Sequence, residues 1–188
     1  MTAWLQTRSG LAFDYEDPKP EQIDIRDIAH SLGLLCRFAG HCSRFYSVAE
    51  HSVHCATLLL PGGRALAREG LMHDSHEAYM IDLPSPLKRL LPGYRKLEGV
   101  VEVAVRARFG LPRGIHPAVK ATDRVLFHQE AASLHEPPPR LREPGLPDES
   151  PPLTGFPDRE WTPHCWSSQE AASRFLGMFR DLFPEVTP

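Results

Sequence analysis

The stretch that decides the fold reads GLMHDSHEAYMIDLP and spans residues 70 to 84. Within an otherwise apolar segment it places two histidines and three carboxylates, namely His73, Asp74, His76, Glu77 and Asp82. An α-helix turns about 100° per residue, so Asp74 falls at about 100° and Glu77 at about 40° when His73 is set to zero. Both acids then point into the arc of apolar side chains, whereas His76 falls about 60° on the other side of His73. The pattern predicts a helix that carries two acids on its buried face.

Two carboxylates on a buried face need a compensating positive charge, because an unpaired buried carboxylate is costly. A divalent metal ion would convert their repulsion into coordination. A salt bridge to an arginine or lysine on a facing helix is the alternative. The other predicted helices offer further ligands, since His51 and Asp123 each share a helix face with apolar residues. Two imidazoles and two carboxylates suit Mn, Fe, Co, Ni or Zn better than Ca or Mg, and the predicted ligands are His51, His73, Asp74 and Asp123.

Hydrophobic periodicity predicts an all-α helical bundle with a small N-terminal β-hairpin, in a single domain over residues 1–188. Two short strands are expected between Trp4 and Asp14, around a turn at Ser9-Gly10. Expected helices cover residues 25–35, 47–60, 64–82, 94–109 and 117–134, and a last amphipathic helix carries residues 171–182. The expected N-caps are Asp24, Ser47 in a capping box with Glu50, and Ser167. The parts are a hairpin and lead-in (1–24), a helical core (25–134), a proline-rich arm (135–165) and a C-terminal helix (166–188).

Composition limits the classes of partner and the compartment. The net charge of −3 provides no basic field for a nucleic-acid polymer or an anionic membrane. No apolar run is long enough to cross a bilayer, and the first ten residues lack the apolar region of a signal peptide. The four cysteines form no CxxC pair and are expected to be reduced thiols. These features predict a soluble cytoplasmic protein.

The spacing of His51, the adjacent pair His73-Asp74, and Asp123 resembles the signature of the HD-domain phosphohydrolase superfamily. Three stretches resemble the bacterial HD-type 5′-deoxynucleotidases and related phage dATP triphosphohydrolases: SVAEHS (47–52), HDSHEAYMIDLPSPLK (73–88) and ATDR (121–124). The resemblance covers residues 25 to 134. It implies a helical domain that holds a divalent metal ion and hydrolyses a phosphoester bond.

The resemblance also implies a role for individual residues. Glu77 corresponds to the glutamate that orients and deprotonates the attacking water, Arg37 to a phosphate-binding arginine, and Asp82 to an aspartate that contacts the deoxyribose. Phe38 stands where the family commonly has a tryptophan that packs on the nucleotide, so the stacking surface is kept and the base preference stays open. The four metal ligands implied are His51, His73, Asp74 and Asp123. His54 and His76 match no assigned position.

The leading hypothesis is a metal-dependent 5′-deoxynucleotidase that releases phosphate from deoxynucleoside monophosphates (dNMPs). Release of tripolyphosphate from a deoxynucleoside triphosphate (dNTP), as by the dATP enzymes, is the closest alternative. His41 and Arg44 are candidates for binding further phosphates, or are ordinary loop residues. Without the resemblance, Arg37 would be interpreted as a solvated arginine at a helix end and Asp82 as a solvated helix-end residue or a cap.

Other classes also stay open. These are a non-catalytic regulator that binds metal and nucleotide, and a helical interaction module with a structural polar cluster. An HD-type oxygenase would need extra histidine ligands, for which no convincing set is found. Related enzymes form dimers or larger rings, so a homo-oligomer is expected.

Overall fold

The computed structural model describes residues 3–136 and 162–186, and there the chain is mostly helical with one two-stranded antiparallel sheet, as predicted. The elements are β1 (Trp4–Gln6), β2 (Ala12–Asp14), α1 (Ile25–Leu34), α2 (Val48–Leu59), α3 (Arg64–Met72), α4 (Glu77–Met80), α5 (Ser85–Lys88), α6 (Pro92–Arg108), α7 (Pro117–Leu134) and α8 (Ser168–Leu182). Single 3-10 turns cover Pro20–Gln22, Arg37–Gly40 and Leu60–Gly62. Most of the predicted proline-rich arm, residues 137–161, lies outside the described residues.

The hairpin forms where it was predicted and covers one end of the helical core. Leu5 on β1 pairs with Phe13 on β2, and Gly10 adopts a φ of 87° in the connecting turn. The ring of Phe13 is fully buried and stacks on Tyr79, with their centroids 4.1 Å apart. The hairpin is therefore joined to α4, next to the segment that carries Glu77.

The C-terminal helix α8 belongs to the core and packs against α1 and α2. Its aromatic face is fully buried at Phe175 and Phe179, and Phe179 stacks on Phe183 at a centroid distance of 4.5 Å. A Cβ atom at Gly33 would lie 2.7 Å from the backbone oxygen of Ser168, so glycine permits this close approach of α1 to α8. The amphipathic pattern predicted for residues 171–182 is confirmed.

All three predicted N-caps form, although only half of the predicted capping box does. The Ser47 hydroxyl accepts a hydrogen bond from the backbone N–H of Glu50 at 3.1 Å. The Glu50 carboxylate does not return to Ser47 but accepts bonds from the backbone N–H groups of Cys165 and Trp166, at 2.8 and 2.7 Å. This buried carboxylate therefore ties the segment before α8 to the first turn of α2.

The prediction of one continuous helix over residues 64–82 is wrong. The helix α3 ends at Met72, and tighter i to i−3 bonds follow, such as Glu77 N–H to Asp74 O at 2.9 Å. The ring Nδ1 of His73 binds the carbonyl oxygen of Gly70 at 2.8 Å, the oxygen that the amide of Asp74 would use in a regular helix. Competition for that carbonyl is the physical reason for the break.

Further differences from the predictions lie between residues 85 and 94. The short helix α5 was not predicted; Pro86 lies in its first turn, where a missing N–H costs nothing. The helix α6 begins at Pro92, two residues before the predicted start. The helix α7 has the predicted bounds.

All four cysteines are free thiols, two of which, Cys36 and Cys42, have sulfur atoms 3.5 Å apart. Among residues 3–136 and 162–186, no helix combines the length and apolar character needed to cross a membrane.

Candidate metal centre and adjoining cavity

The predicted ligands converge from α2, from the turn after α3, and from α7. His51 Nε2 lies 3.2 Å from His73 Nε2 and 3.1 Å from Asp123 Oδ1. His73 Nε2 lies 3.1 Å from Asp74 Oδ2. Ligand atoms bonded at about 2.1 Å to a single ion are about 3.0–3.4 Å apart. His51, His73 and Asp74 can therefore hold a metal ion. Asp123 Oδ1 lies beside this group, 3.1 Å from His51 Nε2 and 3.8 Å from His73 Nε2.

The hydrogen bonds of the two imidazoles orient their free nitrogens toward the centre. His51 Nδ1 lies 2.7 Å from Glu130 Oε1, and His73 Nδ1 lies 2.8 Å from the carbonyl oxygen of Gly70. Both partners are acceptors, so each Nδ1 donates to its partner and each Nε2 is directed toward the centre. The two Nε2 atoms lie 3.2 Å apart, close enough to bind one ion. The donor set therefore fits a divalent metal ion.

The electrostatics of the cluster agree with a site for positive charge. Burial lowers the pKa of His73, but the carboxylate of Asp74 outweighs this effect and holds that pKa well above its ordinary value. Burial raises the pKa of Asp74, and the neighbouring His73 overcomes it, so the pKa of this aspartate is lowered. The carboxylate of Asp123 also has a pKa well below its usual range, because His51 and His73 outweigh burial. Both carboxylates are therefore favoured in their charged form next to positive charge.

Glu130 is a site residue that the sequence reasoning missed. It is fully buried and accepts a hydrogen bond from the Tyr46 hydroxyl at 2.6 Å in addition to its contact with His51. Burial raises its pKa, but His51 and Arg37 lower the pKa of Glu130 to about 2. Glu130 follows Asp123 by seven residues, which places both acids on one face of α7. The seven-residue spacing is the feature of the sequence from which Glu130 could have been predicted.

Arg37 is buried beside the metal ligands rather than solvated at a helix end, so that alternative is wrong. Its Nη1 lies 3.7 Å from Asp74 Oδ2, and its Nε lies 3.1 Å from Glu130 Oε2. The salt bridge considered as an alternative to a metal ion is thus present in part. The next residue, Phe38, has a φ of 56° and lies with its ring centroid 5.6 Å from that of Phe127. This left-handed turn sets Arg37 and Phe38 beside the cavity.

A cavity of about 690 Å³ opens onto the candidate metal centre. Six of the predicted site residues line it: Arg37, Phe38, Asp74, Glu77, Asp82 and Asp123. The volume lies within the range of about 300–1,000 Å³ that is typical of small-molecule sites. His41 and Arg44 are not part of this lining; the Arg44 guanidinium instead donates to the carbonyl oxygen of Pro163 at 3.5 Å.

Glu77 lies at the wall of the cavity, and only 5% of its surface is exposed. Burial, together with the charges of Asp74 and Asp82, raises the pKa of Glu77 well above its ordinary value. Its Oε2 atom has no hydrogen-bond partner in the part of the chain that the structure describes. His76, which was not predicted to bind metal, is buried on another side, with its Nε2 3.6 Å from Glu98 Oε1.

The fold and the site define a mostly helical protein with a His–His–Asp group, its two histidines buried, that can hold a metal ion. No protein-family model matches the chain. The chain is 41% identical over 183 residues to the uncharacterized protein YfdR of Escherichia coli (strain K12), with 96% of each chain covered. It is 37% identical over 143 residues to an uncharacterized protein of Rhodobacter capsulatus, covering 70% of this chain and 73% of that relative. The chain belongs to the same family as YfdR.

Proposed function

We propose that the protein is a divalent-metal-dependent phosphohydrolase of the HD-domain type, acting as a 5′-deoxynucleotidase on dNMPs. One arrangement carries the proposal: the His51–His73–Asp74 group, with Asp123 beside it, adjoins a cavity lined by a buried glutamate and a buried arginine. The class of substrate comes from the resemblance of residues 25 to 134 to HD-type 5′-deoxynucleotidases. Homo-oligomerisation and the cytoplasmic location stay predictions.

Each residue of the site is assigned one part of the proposed reaction. His51, His73, Asp74 and Asp123 would hold the metal ion, which when bound lowers the pKa of a coordinated water and polarises a phosphoryl oxygen. Glu77 is assigned to accept the proton of the attacking water, because its carboxylate lies at the cavity wall next to the proposed ligand Asp74.

Three further residues line the cavity where the substrate would lie. Arg37 presents fixed N–H donors to the phosphate oxygens as charge develops on them. The aromatic ring of Phe38 offers a stacking surface for the base. Asp82 is assigned to a hydroxyl of the deoxyribose.

Release of tripolyphosphate from a dNTP is the second candidate, and one observation favours it. Lys120 and Arg124 lie one helical turn apart on α7 and line the same cavity. Neither takes part in an ion pair between residues that the structure describes. Their positive charge, added to that of Arg37, would suit a longer phosphate chain.

A product assay separates these functions. The purified protein is loaded with Mn²⁺ or Co²⁺ and incubated with each dNMP, nucleoside monophosphate and dNTP, and the released phosphate species are identified. Orthophosphate from dNMPs supports the nucleotidase, and tripolyphosphate from dNTPs supports the second candidate. Metal binding without hydrolysis of any nucleotide would point to a regulator. A protein that binds no divalent ion and keeps its stability in chelator would contradict a metal site.

The role of Glu77 has its own test. Glu77→Gln is expected to keep the bound metal and to lower kcat by about 10²-fold or more, because the amide cannot accept the proton. Glu21→Gln, at an exposed position in the 3-10 turn before α1, is the matched control. Turnover that survives in the Glu77 variant would show that the base is wrongly assigned.

A further inference from the structure

Beside Glu77 lies a group of three side chains that the proposed chemistry does not use. We call it the Lys88 cluster; it consists of His76, Lys88 and Glu98, from the turn before α4, from α5 and from α6. Lys88 Nζ lies 2.6 Å from Glu98 Oε1 and 3.6 Å from Glu77 Oε1, and His76 Nε2 lies 3.6 Å from the same oxygen of Glu98. The three side chains are only 10% to 16% exposed. A group of largely buried, titratable side chains that contacts the proposed base, Glu77, needs an explanation.

Glu77 stands in surroundings that oppose its charge and leave its carboxylate free to rotate. Asp74 and Asp82 are negative neighbours on the cavity side. The terminal torsion of a glutamate is broad, so packing alone does not decide which oxygen faces the cavity. Lys88 approaches Oε1 at 3.6 Å, whereas Oε2 is enclosed and has no hydrogen-bond partner among residues 3–136 and 162–186. The contact with Lys88 therefore restricts the orientation of the Glu77 carboxylate at the cavity wall.

Lys88 is itself fixed in place. A lysine ammonium on its flexible stem is a poor positioning group unless it is anchored. Glu98 provides the anchor through the 2.6 Å ion pair. The hydroxyl of Tyr94 donates to the carbonyl oxygen of Met80 at 2.8 Å, which joins α6 to the end of α4. The helix that carries Glu98 is thus tied to the element that carries Glu77.

We propose that Lys88 is a positioning residue, which holds the Glu77 carboxylate toward the attacking water, and that Glu98 and His76 hold Lys88. The inference rests on the proposed function, because it assigns Glu77 as the base. It gives a role to His76, which the metal centre and the cavity do not use. Lys88 also lines the cavity, so direct binding of the substrate phosphate is the competing role.

The test uses the full chain loaded with Mn²⁺, with the variants Lys88→Met, Lys88→Arg and Glu98→Gln. Lys96→Met is the matched control, since Lys96 is exposed on α6 and outside the ion pairs between described residues. The measurements are kcat and KM for dNMP hydrolysis, the affinity for orthophosphate, the metal content, and crystal structures of the wild type and the variants.

Lys88→Met is expected to lower kcat by about 10- to 100-fold, because a misplaced catalytic group costs that much. KM and the orthophosphate affinity should change by less than about twofold, since substrate binding is kept. Lys88→Arg should recover part of kcat, and Glu98→Gln should lose part of it. A raised KM with an unchanged kcat would overturn the proposal in favour of direct phosphate binding, and so would wild-type kcat in Lys88→Met.

The crystal structures also decide the inference in two cases where the kinetic comparison fails. If the wild type hydrolyses none of the nucleotides, the proposed function fails, and the position of Glu77 in crystals of Lys88→Met still decides the inference. A carboxylate that stays in place would overturn it, and one rotated away from the cavity would support it. If Lys88→Met does not fold, Lys88→Arg and Glu98→Gln carry the same comparison.

Discussion

Glu130 Oε1 lies 2.7 Å from His51 Nδ1 inside the helical core and joins α7 to α2 at the metal centre. The contact fixes the imidazole so that Nε2 faces His73 at 3.2 Å. A carboxylate behind a histidine also makes the ligand more basic than a neutral acceptor would. The affinity for the metal ion should therefore depend on a residue that does not reach the ion.

Glu130→Gln keeps an acceptor oxygen of the same size but removes the charge. We expect the affinity for Mn²⁺ or Co²⁺ to fall by about 10- to 100-fold, measured by calorimetric titration of the metal-free protein. Glu136→Gln, at an exposed position just beyond α7, should leave the affinity unchanged. Equal affinity in the two variants would show that Glu130 does not support the site.

A second prediction concerns the close contact of α2 with α3, which sets the distance between His51 and His73. A Cβ atom at Gly70 would lie 2.6 Å from Leu59 Cδ1 and 3.3 Å from the Cα of Ala56. Gly70→Ala should lower the free energy of unfolding by about 1–3 kcal/mol, measured in urea. Gly99→Ala is the control, because no atom lies within 4 Å of its added Cβ in α6, and it should raise stability by up to about 1 kcal/mol. Equal effects in both variants would refute the packing argument.

The third prediction concerns the connection that places α7 and hence Asp123. Arg106 is 2% exposed, pairs with Glu69 at 3.0 Å and donates to the carbonyl oxygen of Gly114 at 3.0 Å. Arg106→Met leaves the Glu69 carboxylate buried without its cation, which should cost about 3–5 kcal/mol of unfolding free energy. Arg174→Met, which removes a half-exposed pair on α8, should cost at most about 1 kcal/mol. A small loss at Arg106 would mean that the connection does not depend on this pair.

The fourth prediction is a pH dependence at the first turn of α1. The hydrogen bond from the Arg26 side chain lowers the pKa of Asp24 below its ordinary value. A lowered pKa in the folded state means that the stabilisation is present above the unfolded pKa of about 3.9 and is lost as the pH falls through the folded pKa. Asp24→Asn keeps a capping oxygen and removes the charge, so it isolates this contribution.

The difference in unfolding free energy between the wild type and Asp24→Asn should be at most about 0.5 kcal/mol near pH 6, because Arg26 is exposed and the pair is screened by water. It should shrink toward zero as the pH falls through the lowered pKa of Asp24. Chemical denaturation at several pH values measures it. A difference that stays constant across that range would contradict the charge contribution.

The sequence by itself determined the features that depend on neighbouring residues. Asp24, Ser47 and Ser167 were recognised as N-caps, and the bounds of α7 were predicted, because capping and helical periodicity are local. The four metal ligands were predicted from acids and histidines on apolar faces and from the family resemblance. The structure brings donor atoms of three of them, His51, His73 and Asp74, into one group, and Asp123 lies next to His51. The nucleotide substrate stays a prediction.

Which residues support the site became apparent only from the tertiary structure. The bond from His73 to the carbonyl of Gly70 breaks the predicted helix, because a side chain and a backbone amide compete for one acceptor. Glu130 reaches His51 across 79 residues of sequence, and Lys88 meets Glu77 and Glu98 only because α5 folds back on α6. Packing between distant elements decides which residues become such partners. A buried charge that is left unpaired is costly, so a partner is needed, but the sequence does not show which residue it is.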